Sequence, residues 1–318
     1  MNYRNFKVNY QKINFPLKES FKISRGSKKL AKTIKIELKE NNQSGLGECV
    51  PYKRYNESEK KIINFLKKKK QIYNLKQIPY LSLRNALSNA EYDLKLKKNK
   101  IRFKNIIKKT TFDTIITIPI TTEKNFIKKI NQLKFQKIIK IKLDEKNVLR
   151  FLNLIKKYLP KSQIIIDANE GWSLKFLKKN EKELKKYKIL FIEQPVRSIN
   201  DKKLKKINLP LCADESFHLN NHYKKINNIY KWVNIKPDKF GEDKEILNAI
   251  KFAKKNRLKI MMGCMVSSSL SIVPSLRFVK HCDLLDLDGA MFLKKDLKGG
   301  VKYSRGKLIY NSKFKFGY

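Results

Sequence analysis

Cysteine is scarce in this chain. Four occur in 318 residues, Cys49, Cys212, Cys264 and Cys282, and no two form a C-x-x-C pair. That argues against a disulfide framework or a cysteine zinc site and predicts scattered core thiols in a reducing compartment. The three histidines, His218, His222 and His281, show no ligand spacing, so they are expected at the surface or behind a site rather than in it. Long apolar runs are missing as well: nothing approaches the roughly 18 uncharged residues of a membrane-spanning helix. The opening stretch, MNYRNFKVNYQKINF, alternates polar and apolar residues and lacks an apolar signal core, which predicts a cytoplasmic protein starting near Met1. No G-x-G-x-x-G or P-loop pattern appears, so nucleotide binding has no support. The two tryptophans, Trp172 and Trp232, are expected to pack.

Acidic residues are the other shortage. Against 74 Lys and Arg stand 28 Asp and Glu, a formal net charge of +46. Such an excess can serve nucleic acid, an anionic membrane or acidic ligands. Nearly all of it is lysine, whereas arginine is favoured for bidentate phosphate and base recognition, and it is spread over the whole chain rather than gathered in a patch. The abundance of Ile and Asn beside Lys fits the codon bias of an AT-rich genome acting on the surface. Neither nucleic acid nor a membrane is expected as a partner, although the charge would draw anionic ligands, less so at physiological salt. With 41% hydrophobic and 11% aromatic residues the chain can bury a large core. Its length allows one large barrel or two packed domains.

Residues 1 to about 50 read as strands: KTIKIELKE (32–40) alternates, and NNQSG (41–45) is turn chemistry. Two helices follow. Ser58 can cap the first, through KKIINFLKKKKQIY; the second, LSLRNALSNAEYDLKLKK, carries a stripe of Leu83, Ala86, Leu87, Ala90 and Leu94. From about residue 113 the rhythm changes to eight short apolar runs separated by helical patterns: TIITIPI, KIIKIKL, QIIIDAN, ILFIEQP, LPLCADES, WVNIKPD, LKIMMGCM and DLLDLDG. Buried-type strands alternating with helices indicate a parallel barrel. The expected fold is α/β: a (β/α)7β TIM-like barrel over 113–289, with an N-terminal α+β capping domain over 1–112 completed by strands from C-terminal residues 290–318.

In such barrels function gathers at the C-terminal ends of the strands. Those ends carry Lys140 and Lys142, then Asp167, Glu193, Asp214, Lys236, and finally Asp286 with Asp288. Asp167, Glu193 and Asp214 converge on one side of the mouth, and three carboxylates so placed need a neutralising partner. Oxygen-only ligation suits a hard cation, Mg²⁺ before Mn²⁺ or Ca²⁺. Lys140 and Lys142 are two apart on one strand and project to the same side; their repulsion would lower the pKa of one of them and make it a usable base. Lys236 should face them across the pocket. Two lysines flanking a metal-bound carboxylate can move a proton from one face of an α-carbon to the other, through an enediolate.

These motifs carry a family resemblance. KIKLD (140–144), DANEGW (167–172), FIEQP (191–195), CADES (212–216), VNIKPDKFG (233–241), MGCM (262–265) and DLDG (286–289), together with FKISRGS (21–27) and GECVPYKRYNES (47–58), resemble the enolase superfamily. Within it they are most similar to the muconate-lactonizing subgroup and its L-Ala-D/L-Glu (dipeptide) epimerases. The likeness spans nearly the whole chain, with all motifs in order. It implies that Lys142 and Lys236 are the two acid/bases, with Lys140 tuning Lys142, and that Asp167, Glu193 and Asp214 hold one Mg²⁺ per subunit. It further implies that Asp286 and Asp288 bind a substrate α-ammonium, that Arg25 meets a glutamate carboxylate of the dipeptide, and that Tyr52 and Arg54 help close the pocket. A small dipeptide is then the partner, murein peptide recycling the setting, and homo-oligomerisation stays open. Lys or His bases with bound Mg²⁺ are a known pattern of this superfamily.

Three departures bear on substrate choice: Gly241-Glu242 replaces a common Gly-Gly, Ser267 replaces a common acid, and Ala290 a common proline. Within the superfamily, o-succinylbenzoate synthase and N-acylamino-acid racemase use the same lysines and metal, and DLDG is the discriminating feature. Outside it, the rival is a non-catalytic basic binding protein.

Overall fold

In the computed structural model residues 7–68, 74–221, 226 and 228–317 are described. His222 and the tail of the first helix pattern, 69–73, lie outside them. Strand β1 (Lys7–Ile23) pairs antiparallel with β2 (Gly26–Glu40), and β2 with β3 (Gln43–Cys49). The alternation read in 32–40 buries Ile34, Ile36 and Leu38 completely, as expected of a sheet covered on one face. Helix α1 (Glu59–Lys68) and helix α2 (Leu81–Lys98) cover that face. Ser58 Oγ accepts from Lys61 N–H at 3.3 Å as the predicted cap. All five residues of the α2 stripe are at most 2% exposed. The helix lies so close that a Cβ at Gly47 would sit 2.0 Å from the carbonyl oxygen of Ala86.

A short helix α3 (Phe103–Ile107) and strand β4 (Thr111–Asp113) lead into the expected barrel. Its eight strands are β5 (Ile116–Ile118), β6 (Ile138–Lys142), β7 (Gln163–Asp167), β8 (Ile189–Glu193), β9 (Leu211–Ala213), β10 (Trp232–Ile235), β11 (Lys259–Gly263) and β12 (Leu284–Asp286). They follow one another in sheet order, all parallel. The ring closes where Ile115 N–H donates to Leu285 O at 2.8 Å. Helices α4 (Glu123–Asn131), α5 (Val148–Tyr158), α6 (Leu174–Leu184), α7 (Asp243–Lys255) and α8 (Ser269–Ile272) form crossovers. Not every strand is followed by an α-helix. After β8 the crossover is 3₁₀ over 198–206, a segment with one buried side chain, Leu204, and hence no apolar stripe to seat a full helix.

Period-two alternation builds the barrel interior in layers. Ile115, Ile165, Phe191, Cys212, Trp232 and Met261 form an apolar plug low in the barrel. Two residues further along, the inward positions become Thr117, Asp167, Glu193, Asp214, Asn234 and Gly263. The intervening residues, such as Ile139, Ile141, Ile164, Ile166, Ile192 and Val233, face the helices in the main core. One strand pattern thus writes both an oily floor and a charged layer above it.

Within the C-terminal residues, strands β13 (Lys302–Ser304) and β14 (Lys307–Ile309) form a hairpin that pairs with β4. Leu308, Tyr310, Phe314 and Phe316 are buried in the barrel's own core. The tail reaches the first 112 residues through isolated bridges, Leu17 with Leu293 and Arg102 with Gly317. A small cluster of Phe15, Leu17, Phe21, Ala31, Val266 and Leu293 joins β1 and β2 to the barrel mouth. Among the described residues no helix is long and apolar enough to cross a membrane.

Candidate active site

A cavity of about 830 Å³ opens between the capping domain and the C-terminal strand ends. Arg25, Tyr52, Arg54, Lys140, Lys142, Asp214, Lys236, Asp286 and Asp288 all line it. Asp167 and Glu193 are fully buried and do not line it, but are ion-paired to Lys142 and Lys140, which do. The register explains the gathering: Lys142 pairs with Asp167 across β6 and β7, and Asp167 with Glu193 across β7 and β8.

Ion pairs tie these groups together. Lys142 Nζ donates to Asp167 Oδ2 at 2.5 Å and to Asn169 Oδ1 at 2.9 Å. Lys140 Nζ lies 2.7 Å from both Glu193 Oε2 and Asp286 Oδ2, and 3.3 Å from Asp167 Oδ2. Lys236 Nζ donates to Asp214 Oδ2 at 2.7 Å. Burial would raise the Asp167 carboxyl, but Lys142, Lys140 and Lys236 pull it down to about 2. Asp214 is held far below the usual carboxylate range: burial opposes this, and Lys236 and Lys239 outweigh it. Glu193 goes the other way, pushed up to about 7 by burial and the charge of Asp167. At Lys140 opposing influences meet. Burial does act downward, but Asp286, Glu193 and Asp167 together hold it well above the ordinary value, so beside Lys142 it is a fixed cation. Lys236 is likewise raised, burial being outweighed by Asp214 and Glu193.

Among the described residues no three His, Cys, Asp or Glu side chains are gathered closely enough to hold a metal as they stand; the ammonium of Lys140 lies within 3.3 Å of both Asp167 and Glu193. The donor set nonetheless fits a hard cation. It is all oxygen and buried, and Glu193 Oε2, which accepts no hydrogen bond of proper geometry, already faces a positive charge, the Lys140 ammonium at 2.7 Å.

The remaining expected residues fall in the cavity wall, with different partners from those foreseen. Asp286 and Asp288 both face inward, as the i, i+2 spacing requires. Asp286 accepts from Lys140, and Asp288 Oδ2 accepts from Thr117 N–H at 2.6 Å. Burial and the charge of Asp286 push Asp288 up to about 7. Arg25 is already engaged: it donates to Glu215 Oε1 at 2.6 Å, Glu170 Oε2 at 2.7 Å and the Asn169 carbonyl at 3.0 Å. Tyr52 Oη lies 3.4 Å from it. Arg54 turns to Glu170. Glu242, Ser267 and Ala290 do not line the cavity. His218 is buried and stacks on Tyr55 at 4.3 Å between centroids, and burial with the nearby Lys239 lowers it to about 3. Trp172 and Trp232 are buried and pack, and all four cysteines are free.

Three residues that sequence reasoning missed matter here. Lys239 is fully buried, and its ammonium donates to Asp214 Oδ1 at 2.7 Å, Asp214 O at 2.6 Å and Asn234 O at 2.7 Å. All three of its N–H bonds are used, which fixes Asp214. Asn234 donates to Glu193 Oε1 at 2.7 Å, and it fits because residue 263 is glycine: a Cβ there would lie 2.3 Å from Asn234 Oδ1. Gly263→Ala should therefore displace Asn234 and cost about 1–3 kcal/mol, as overpacking does, measurable by urea unfolding. Lys28 lines the same cavity, 5.9 Å above the Phe21 ring, and has no carboxylate partner among the described residues. Burial and the charge of Lys142 push it down to about 8.

Fold and side chains define the class: a capped parallel barrel whose lysines and carboxylates face one another across its mouth. A family model, enolase C-terminal domain-like, matches residues 126–307. The chain is 31% identical over 309 residues to the L-Ala-D/L-Glu epimerase of Escherichia coli (strain K12), covering 92% of this chain and 96% of that one. It is 33% identical over 278 residues to an N-acetyl-D-glutamate racemase of Pseudoalteromonas sp, covering 83% and 88%. The structure of a dipeptide epimerase from Cytophaga hutchinsonii, complexed with Mg and the dipeptide D-Ala-L-Val, matches with a TM-score of 0.86 at 22% identity, covering 98% of this chain and 94% of that one. This chain belongs to the enolase superfamily.

Proposed function

We propose that this protein is a Mg²⁺-dependent epimerase of dipeptides of the L-Ala-D/L-Glu type, acting in the cytoplasm with one ion per subunit. The observation that carries this reading is the opposition of Lys142 and Lys236. They stand on the second and sixth of eight strands, half a barrel apart, both facing one cavity with Asp167 and Asp214 beneath them.

Asp167, Glu193 and Asp214 would hold the ion, which supplies positive charge to a substrate carboxylate and so stabilises an enediolate. Lys142 and Lys236 do the proton work. One, as free amine, removes the α-proton; the other, as ammonium, delivers a proton to the opposite face, and the roles reverse for the other epimer. Lys140 supplies a permanent positive charge beside Lys142. Asp288, with Asp286, receives the substrate α-ammonium.

Lys28 is the group we assign to the distal carboxylate, because Arg25 is already paired with two protein acids. The names of both curated relatives contain glutamate, which agrees with a cation at that end of the pocket. Lys28→Met should raise KM for L-Ala-D-Glu about 10- to 100-fold, the worth of one charged hydrogen bond, with kcat nearly unchanged. A neutral dipeptide such as L-Ala-L-Leu should not notice the change. Equal loss on both substrates would remove the assignment.

Racemisation of an N-acylated glutamate is the second reading, favoured by the Pseudoalteromonas relative. The two differ at Asp288, which would meet an ammonium in the dipeptide and none in the N-acylated amino acid. Polarimetry on L-Ala-D-Glu and N-acetyl-D-glutamate side by side decides: faster turnover of the dipeptide supports epimerisation, and turnover of the acyl amino acid alone overturns it.

A further inference from the structure

One buried carboxylate outside the reacting centre fastens both capping loops to the barrel. Glu170 follows β7 in the segment that also supplies Asp167 and Asn169, and its side chain is 3% exposed. Its Oε2 accepts from Arg25 Nη1 at 2.7 Å and from Arg54 Nε at 2.6 Å. Its Oε1 accepts from Arg54 Nη2 at 2.7 Å and from the Ser198 amide at 3.2 Å. Arg25 sits at the β1–β2 turn and Arg54 in the 3₁₀ segment Lys53–Tyr55. Two separate parts of the capping domain thus meet on one acid of the barrel.

The local backbone serves this arrangement. Asn169 and Glu170 both take positive φ, 47° and 63°, which turns the chain sharply after Asp167. Beside them Ser24 Oγ donates to Ala168 O at 2.8 Å, and a Cβ at Gly171 would lie 2.5 Å from Ser24 Cβ, so the first loop rests directly on this turn. Arg25 completes the junction by its second ion pair, to Glu215 next to Asp214. The loops held this way carry Lys28 and Tyr52 into the cavity wall.

We infer that Glu170 is a positioning residue that keys the two capping loops to the barrel and so sets the affinity for the part of the substrate those loops contact. It touches no reacting atom. It acts through Arg25 and Arg54, both of which donate charge-assisted hydrogen bonds to it.

The test is Glu170→Gln, which keeps the shape and removes the charge, with Arg54→Gln as a second, more exposed variant. The consequence for substrate rests on the dipeptide reading; the looseness of the loops does not. Amide hydrogen exchange in the protein alone should rise about tenfold or more at 24–29 and 52–56 in Glu170→Gln, the loss of a charged hydrogen bond, and at 52–56 in Arg54→Gln. KM for L-Ala-D-Glu should rise about tenfold in Glu170→Gln with kcat within about threefold, because the reacting groups stay in place. Exchange within about twofold of wild type in both variants overturns the inference, and so does a fall in kcat at unchanged KM. If wild type fails to turn over any dipeptide, exchange still decides the role of Glu170. If wild type turns over normally and exchange does not move, Glu170 alone loses its role.

Discussion

Lys142→Ala and Lys236→Ala will each slow epimerisation of L-Ala-D-Glu by about 10²–10⁴-fold, the usual worth of a positioned acid or base, and leave the protein folded. Both lysines lie in the charged layer above the apolar plug of Ile165, Phe191, Cys212, Trp232 and Met261, so the core that holds the barrel is not touched. A finer consequence follows from their opposition. Each amine reaches one face of the α-carbon, so each variant should still exchange the α-proton of one epimer with solvent while failing to invert it. The two variants should retain exchange on opposite epimers. Isotope incorporation into L-Ala-D-Glu and L-Ala-L-Glu, followed separately by NMR, reads this out. Normal inversion by either variant, or exchange of both epimers by the same variant, is incompatible with two opposed bases.

Removal of divalent metal should be as damaging. The α-proton beside an ionised carboxylate is only weakly acidic, and several kcal/mol of charge stabilisation must come from somewhere. That corresponds to more than about 10³-fold in rate. Lys140 cannot replace the ion, because its ammonium is shared among Asp286, Glu193 and Asp167. Dialysis against a chelator should therefore abolish turnover, and Mg²⁺ should restore it. The folded state should register the ion independently: at about 100 times its dissociation constant a bound ligand stabilises by about 2.7 kcal/mol, visible as a rise in Tm. Full activity after exhaustive chelation would remove Asp167, Glu193 and Asp214 from the site as drawn.

Much of this site was legible because barrel strands repeat with period two. Reading KIIKIKL, IIIDAN and LFIEQP as buried strands places Lys140, Lys142, Asp167 and Glu193 on the inner face at once, before any contact is known. The unforeseen parts depend on which of many similar residues turns inward. Lys28 and Lys239 are two of 74 basic residues, and nothing in their neighbourhoods marks one as a cavity wall and the other as the partner of Asp214. Arg25 lies in the turn after FKIS, but its partners, Glu170 and Glu215, come from barrel turns 145 and 190 residues away. Gly263 reads as an ordinary strand glycine until the reach of Asn234 toward Glu193 is seen. The C-terminal hairpin pairs with three residues, Thr111–Asp113, too short a strand to announce a sheet of its own.

Proton transfer at one carbon from two sides is tested most directly by running the wild-type protein with Mg²⁺ and L-Ala-D-Glu in D₂O. Each molecule that appears as the L,L epimer should carry deuterium at the glutamate α-carbon, at a rate that falls when the metal is chelated. Inversion with the original hydrogen retained, or no inversion of any glutamate-bearing substrate, would contradict the roles given to Lys142 and Lys236.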